Sequence, residues 1–308
     1  MFRILQWSDS HGQTNTLTPT QSLLKTVPNI DMCIHCGDVV PDHYPESIDS
    51  FDQSLSMCVI GNHDSIDVSG TDPTGYHWDM QASQADLYSK YFSKAKANFG
   101  VDINTNETWW SKEFKDKQIL FLGINDSTIG DALNKQLAWF DEKISYAENK
   151  GLSVIVAKHG PSNYGNIEEN TFTSIYAKSS NYIVDTNDYN KVYSGNDKMI
   201  GRLVRSTAKI LCVLHGHEHT DYYGYIIKND STNIPVIGIN STLMDIYGDV
   251  LRVSNSNVTS SVCVNLIEID NDSLYIYRLG ADNCKSGVSR KMLTYSYSKN
   301  KVVSLCSV

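Results

Sequence analysis

The sequence predicts an α/β domain, and three observations carry that reading. Short apolar runs alternate with helical stretches through the first two-thirds of the chain, the pattern that builds a mainly parallel sheet. The last third is almost all strand-like, with NDS at two of its turns. Five of the apolar runs end in Asp, Asn or His, and in open α/β sheets ligands gather at the carboxyl ends of the strands. The 308 residues are 41% hydrophobic and 20% charged, proportions that fill a sizeable core. No tandem repeat, low-complexity tract or linker divides them, so a single domain over 1–308 is expected.

FRILQWS opens as a strand. Thr18 and Pro19 read as N-cap and first residue of a helix running to about Val27. DMCIHC is a second strand, Glu46 to Leu55 a helix, and SMCVI a third strand. A polar insertion at 65–108 interrupts this rhythm with Gly70, Pro73 and Gly75, then a helix from about Gln84 to Asn98. WWSKEF and KQILFLGI read as a hairpin turning near Lys115, Asp116 and Lys117. Residues 134–149 form an amphipathic helix with Leu137, Phe140, Ile144 and Ala147 on one face and Gly151 just past its end. LSVIVAK is a buried strand. Residues 161–195, rich in Ser, Asn, Thr, Tyr and Gly, read as a long loop or cap bordering a site. A helix at Lys198 to Ala208 leads into KILCVL, and YYGYIIK, NIPVIGI, SVCVNLIEI and SLYIYRLG complete a β-rich end.

The formal net charge of −9 and a pI of about 5.4 weigh against indiscriminate binding to nucleic-acid backbones. A nucleotide substrate stays open, because bound metal ions reverse the local field. The N-terminus, MFRILQWSDSHG, has no basic n-region, long apolar core or small-residue cleavage site. No apolar run has the length of a membrane span. A cytoplasmic location is expected, with a phage protein acting in a host or carried in a particle included. The seven cysteines lie mostly in apolar runs, where free Cys behaves as a small core residue. Their odd number argues against a disulfide framework. Cys33 and Cys36 stand three apart along a strand, on opposite faces, so core packing is expected of them rather than zinc or redox chemistry.

The chemistry is concentrated at the five strand ends. FRILQWS leads into Asp9 and His11, DMCIHC into Gly37 and Asp38, and SMCVI into Gly61, Asn62, His63 and Asp64. LSVIVAK leads into His159, and KILCVL into His215, Gly216, His217, Glu218 and His219. Asp9 and His11 are two apart, as are His217 and His219, and in extended backbone such pairs point the same way. Gly37, Gly61 and Gly216 let the chain turn sharply and approach an ion closely. A mixed Asp, Asn and His donor set suits Mn, Fe or Zn better than Ca, which prefers all-oxygen shells.

DSH, GDVV, GNHD, the lone His159 and GHEH, in that order, resemble the motifs of the calcineurin-like metallophosphoesterases over roughly the first two-thirds of the chain. The resemblance implies a four-layer αββα sandwich of two mixed β-sheets flanked by helices, with a dinuclear centre at its edge. It implies Asp9, His11, Asp38 and His219 on a first metal ion, and Asp38, Asn62, His159 and His217 on a second. Asp38 would bridge two divalent ions, with Mn favoured and Fe or Zn as alternatives. His63 resembles the family's catalytic histidine, with Asp64 as the carboxylate that orients it. Two ions roughly 3.5–4 Å apart activate water and clamp phosphoryl oxygens, while a histidine hands a proton to the leaving alkoxide near neutral pH. The expected reaction is hydrolysis of a small phosphate ester, diesters slightly ahead of monoesters. A structural or binding component, such as a virion protein with an intact metal site, is the alternative from another class, and a nuclease is the subsidiary one.

Other residues carry weaker expectations. His63 positions substrate if it does not donate a proton. His215 reads as a packing or supporting residue and His35 as a satisfied core histidine. His43, Tyr76 and His77 are candidate substrate contacts, since His43 follows the Asp38 strand and the other two lie in the polar insertion. Arg278 in YRLG resembles a C-terminal strand feature of some bacterial and phage relatives and reads as structural. Specificity is expected in the loops 65–108, 161–195 and 241–260.

Overall fold

The first strand, Phe2–Trp7, places its even-numbered and odd-numbered side chains on opposite faces of a sheet, and both faces are buried. That requires a covering layer on each side, and the computed structural model of the chain shows those layers. It describes residues 1–12, 14–40, 48, 50–65, 83–128, 130–160, 172–177, 196–217, 222–239, 262–280 and 290–305.

The strands in chain order are β1 (Phe2–Trp7), β2 (Met32–His35), β3 (Met57–Cys58), β4 (Trp110–Phe114), β5 (Ile119–Gly123), β6 (Ser153–Ala157) and β7 (Phe172–Ala177). They continue as β8 (Ile210–His215), β9 (Tyr222–Ile227), β10 (Asn233–Gly238), β11 (Cys263–Ile269), β12 (Ser273–Gly280), β13 (Arg290–Ser296) and β14 (Lys301–Leu305). Among the described residues they form two seven-stranded sheets, ordered β14-β13-β12-β11-β1-β2-β3 and β4-β5-β6-β8-β10-β9-β7. Both are mixed. β1, β2 and β3 run parallel while β11 returns antiparallel beside β1. β5, β6, β8 and β10 run parallel between antiparallel flanks.

Alternation along the strands separates the layers. Ile119 and Phe121 of β5 and Ile155 and Ala157 of β6 share a core with Phe2 and Ile4 of β1. Their neighbours Leu120, Leu122, Val154 and Val156 point the other way. These meet Phe140, Ile144 and Ala147 of α4 (Gly130–Lys150) and Met199, Ile200 and Leu203 of a later helix, Asn196–Arg205. On the first sheet, α1 (Thr14–Thr26) crosses from β1 to β2 and buries Leu17, Thr20, Gln21 and Leu24, a one-sided helical spacing. The result is the αββα sandwich. The helix expected near 84–98 is α2 (Gln84–Leu87), a π-helical turn at Tyr88–Phe92, and α3 (Ala95–Phe99) ending on Gly100 at φ 60°. The helix Asn196–Arg205 is α5.

Some expectations fail for identifiable reasons. α1 begins at Thr14, so Pro19 lies inside it rather than at its first position. Lacking an N–H, Pro19 costs the helix one bond close to its first turn. Of the α-helix expected over 46–55, the described residues form a 3-10 turn at Ile48 and Ser50 and a further turn at 53–55, closed by Phe51 N–H to the Ile48 carbonyl (2.9 Å) and Leu55 N–H to the Asp52 carbonyl (3.0 Å). Asp52 accepts from the backbone and hydroxyl of Ser54, the local bonding that competes with helix. Within 161–195, read as loop, Phe172–Ala177 is edge strand β7 paired with β9. The hairpin of β13 and β14 extends the first sheet beyond the strands the sequence marks.

Polar residues also join the sheets. Buried Arg278 donates to Asn265 Oδ1 (3.1 Å), Asn265 donates to Gln6 Oε1 (3.2 Å), and Gln6 donates to the carbonyls of His215 (3.1 Å) and Ile237 (3.0 Å) in the other sheet. Arg278 is thus structural, as its place in the sequence suggests. Cys33 and Cys36 are buried free thiols, and burial pushes the Cys33 thiol up to about 12. No helix among the described residues is long and apolar enough to cross a membrane.

On the outer face, Glu148 of α4 accepts a bidentate pair from Arg202 of α5 (2.8 and 3.0 Å), the Ser206 hydroxyl (2.8 Å) and the Thr207 N–H (2.9 Å). The Arg202 bonds, foremost, hold its carboxyl at about 2, below the usual 4.5. A depressed carboxyl contributes stability above its unfolded pKa and loses it as pH falls toward its folded one. Glu148→Gln should therefore lower stability by about 1 kcal/mol at neutral pH, a value kept small by solvent screening. Thermal melts of the two proteins should converge between about pH 4.5 and 2.

Candidate metal centre

The loops that carry the candidate ligands leave both sheets at the same end. β1, β2 and β3 supply Ser8–His11, Cys36–Val40 and Val59–Ser65, and β6 and β8 supply Lys158–Gly160 and Gly216–His217. The five strand ends are therefore split between two sheets, not spread along one. The loops interlock through backbone bonds from Asp9 N–H to Gly37 (3.0 Å), His11 N–H to Asp38 (3.0 Å) and Gly216 N–H to His159 (3.1 Å).

The backbone here is not extended, which corrects the reading of Asp9/His11 as a period-2 pair. Asp9, His11, Asp38 and His217 have φ of 53°, 42°, 56° and 71°. This left-handed region costs an L-residue about 1–2 kcal/mol, though Asp, Asn and His tolerate it best. Four such residues around one point mark stored strain, which concentrates at functional sites. The glycines make room for it. A Cβ on Gly61 would stand within 3 Å of Asp38 Oδ1 and N, and one on Gly216 within 3 Å of Asp9 Oδ2 and Ser8 Oγ. Gly37, at φ 91°, has the His159 ring where its side chain would be.

The donor atoms converge on Asp38, which is 1% exposed. Its Oδ2 lies 3.2 Å from His159 Nε2, 3.7 Å from His11 Nε2 and 3.8 Å from His63 Nε2, and its Oδ1 accepts the His63 N–H at 3.0 Å. Asn62 Oδ1 is 2.9 Å from His159 Nε2 and 3.0 Å from His217 Nδ1, and those two nitrogens are 3.3 Å apart. Asp9 accepts the His217 N–H at 3.0 Å. Among the described residues, two groups suit a cation: Asp38, His159 and His217, and His11, Asp38 and His63.

The residues present fit divalent ions. Ligands at the ~2.0–2.2 Å bond lengths of nitrogen and oxygen donors stand roughly 3 Å from one another around one ion, and the His159, His217 and Asn62 atoms are so spaced. His159 Nδ1 is bonded to the Cys36 carbonyl at 2.7 Å, the backing that leaves Nε2 to a metal. Burial works to raise the Asp38 carboxyl, but the charges of His159, His63 and His11 outweigh it and hold it well below the usual carboxylate range. Burial works to lower His159, and Asp38 foremost lifts it to about 10. Where a cation's partners attract a proton this strongly, a metal ion can take its place.

Asp64 acts differently from the sequence reading. Its carboxylate accepts the N–H groups of Asp38 (2.8 Å), Val39 (2.9 Å), Val40 (3.1 Å) and Gly61 (2.9 Å), together with the Tyr91 hydroxyl (3.0 Å). It fastens the Asp38 loop to the Asn62 loop, where the sequence suggested a support for the His63 imidazole. Tyr91 comes from the π-helical turn, so the polar insertion also grips the site, a contact no sequence pattern announced. His35 is buried with Nε2 3.0 Å from Ser10 Oγ, and its Nδ1 has no hydrogen-bond partner among the described residues, so within them it is half satisfied. His215 lies behind Gly216, bonded to that residue's carbonyl at 3.0 Å. Asp126 and Lys158 are a buried ion pair at 3.0 Å beside His159. The rule that marked five strand ends applies equally to Asn125 and Asp126 after KQILFLGI. His219, His43, Tyr76 and His77 lie outside the described residues.

The sequence matches the calcineurin-like phosphoesterase family over residues 2–221. The chain belongs to that family. Solved structures agree on the fold of this phosphoesterase. A dimetal phosphatase from Danio rerio is 12% identical, with a TM-score of 0.58 over 96% of this chain and 99% of its own. The purple acid phosphatase PPD1 from yellow lupin seeds is also 12% identical, with a TM-score of 0.51 over 96% of this chain and 53% of its own. No curated protein sequence matches. The site unites the parts that metal-dependent phosphoester hydrolysis needs: clustered nitrogen and oxygen donors, a buried central carboxylate and a partly open histidine.

The glycine cradle yields a direct test. Gly61→Ala should keep the far-ultraviolet circular dichroism of the parent while Mn affinity falls by about 10–100-fold, as when a ligand's support is lost. An unchanged Mn titration would show that the loop gives way without disturbing Asp38.

Proposed function

We propose that this phosphoesterase hydrolyses a small phosphate ester at a centre of two divalent ions, with diesters ahead of monoesters. The convergence of His11, His63 and His159 on the buried Asp38 carboxylate is the observation that supports it. Asp9, His11, Asp38 and His219 would hold one ion, and Asp38, Asn62, His159 and His217 the other, with Mn favoured over Fe or Zn. When bound, the ions supply an activated water and charge neutralisation on the phosphoryl oxygens.

The chain's own groups do the rest. Asp38, fixed through its backbone N–H by Asp64, keeps its Oδ2 between the two donor groups. Cys36 orients His159 through its carbonyl. His63 is the proton donor to the departing alkoxide. Its side chain is 21% exposed against 9% for His11 and 0% for His159, which supports a position facing substrate. The net charge of −9 favours a small phosphoester over a polynucleotide.

Asp38→Asn should lower bound metal and nearly abolish turnover of bis-aryl phosphate, read by elemental analysis and initial rates. Two ions and a near-normal rate in that variant would refute the assignment. His63→Gln should keep its metal and lose about 10²–10⁴-fold on an alkyl diester. On an aryl diester, whose leaving group departs without a proton, the loss should be much smaller. Equal losses with metal intact would make His63 a phosphate-positioning residue, and loss of an ion would make it a ligand.

A further inference from the structure

Beside the candidate ligands lies a charged pair that the chemistry above does not use. β5 and β6 run parallel with Gly123 opposite Ala157, so residues 124–126 and 158–160 leave the sheet side by side. Lys158 Nζ donates to Asp126 Oδ2 at 3.0 Å and also to the Gly160 carbonyl, and Gly160 N–H donates to the same Asp126 oxygen at 2.9 Å. Both side chains are buried, at 1% and 0% exposed. Burying two charges is costly, and apolar residues of like size commonly serve stability as well or better. A pair retained there calls for a role beyond stability.

Its surroundings indicate that role. Asp126 stands on a fixed loop: Gln136 of α4 bonds both the N–H and the carbonyl of Asn125 at 2.7 Å, and Asn125 donates to Thr108 at 2.9 Å. The residue between the two ends of the clamp, Lys158 and Gly160, is His159. On its other side, His159 is tied by its carbonyl to Gly216, the residue before His217. Asp126 also adds negative charge near the His159 ring, offsetting the ammonium that Lys158 brings close to a cation site.

We propose that Asp126 and Lys158 are a positioning pair for His159, pinning the 158–160 turn so that Nε2 meets Asn62, Asp38 and His217. The inference rests on the two-ion reading of the site.

The test is calorimetric titration of Mn into the metal-free full chain, as wild type, Asp126→Asn and the charge-free double variant D126L/K158M, with circular dichroism and melting curves in parallel. Asp126→Asn keeps the shape of the side chain, so it reports even if the double variant fails to fold. In a folded variant, one of the two binding events should weaken by about 10–100-fold, the range for lost outer support of a metal ligand, while the other keeps its affinity. Turnover should recover as Mn is raised. Two wild-type affinities in a folded Asp126→Asn protein would overturn the inference, as would equal weakening of both events, which marks general destabilisation. A wild-type chain that binds fewer than two ions would instead overturn the two-ion reading, and this inference with it.

Discussion

A carboxylate buried to 1% exposure and kept ionised is the constraint on which the rest of this site depends. An unpaired anion in such a place neutralises itself by taking a proton. Asp38 avoids that because His159, His63 and His11 surround its oxygens and the His63 backbone donates to it. Each of those imidazoles needs its own strand end, and the two sheets of the sandwich supply them. The fold therefore serves the charge: β1, β2 and β3 bring Asp9, His11, Asp38, Asn62 and His63, and β6 and β8 bring His159 and His217.

Holding donors this close requires backbone that neither helix nor strand provides. Left-handed residues at Asp9, His11, Asp38 and His217 aim the side chains inward, and the glycines beside them leave space for the crowded atoms. Asp64 then collects four amides and the Tyr91 hydroxyl. Burial and the nearby Asp38 charge push the Asp64 carboxyl up to about 6, so this clamp works against an electrostatic cost that its donors must offset. The strain and the clamp are two sides of one design, since sparsely populated backbone persists only where its surroundings over-determine it.

Much of this was legible in the sequence, and the exceptions have physical causes. The continuous apolar runs in KQILFLGI and LSVIVAK identified strands, and the Phe140, Ile144 and Ala147 face of α4 followed from helical spacing; that the two faces of each strand serve two cores came from the structure. The partition into two sheets was not legible from alternation alone, because a strand covered on both faces reads the same in either sheet; the family resemblance supplied it. β7, paired only with β9 among the described residues, is a short strand set in a Ser-, Asn-, Thr- and Tyr-rich stretch whose composition imitates a loop. Pro19 marked a helix start by a preference that tertiary packing overrode. At the site, residue types and strand ends were readable, whereas the left-handed turns were not, because Asp and His adopt that backbone without the glycine signature. Asp64 looked like a partner for its neighbour His63. Its carboxylate instead turns to the backbone of a loop 26 residues away, a long-range contact that sequence proximity hides.

The most direct measurement of the central claim is anomalous diffraction at the manganese edge from crystals grown with Mn. The account predicts two peaks roughly 3.5–4 Å apart on either side of the Asp38 carboxylate, one toward His11 and the other toward His159 and His217. One peak alone, or peaks that leave the Asp38 oxygens without a metal neighbour, would contradict it.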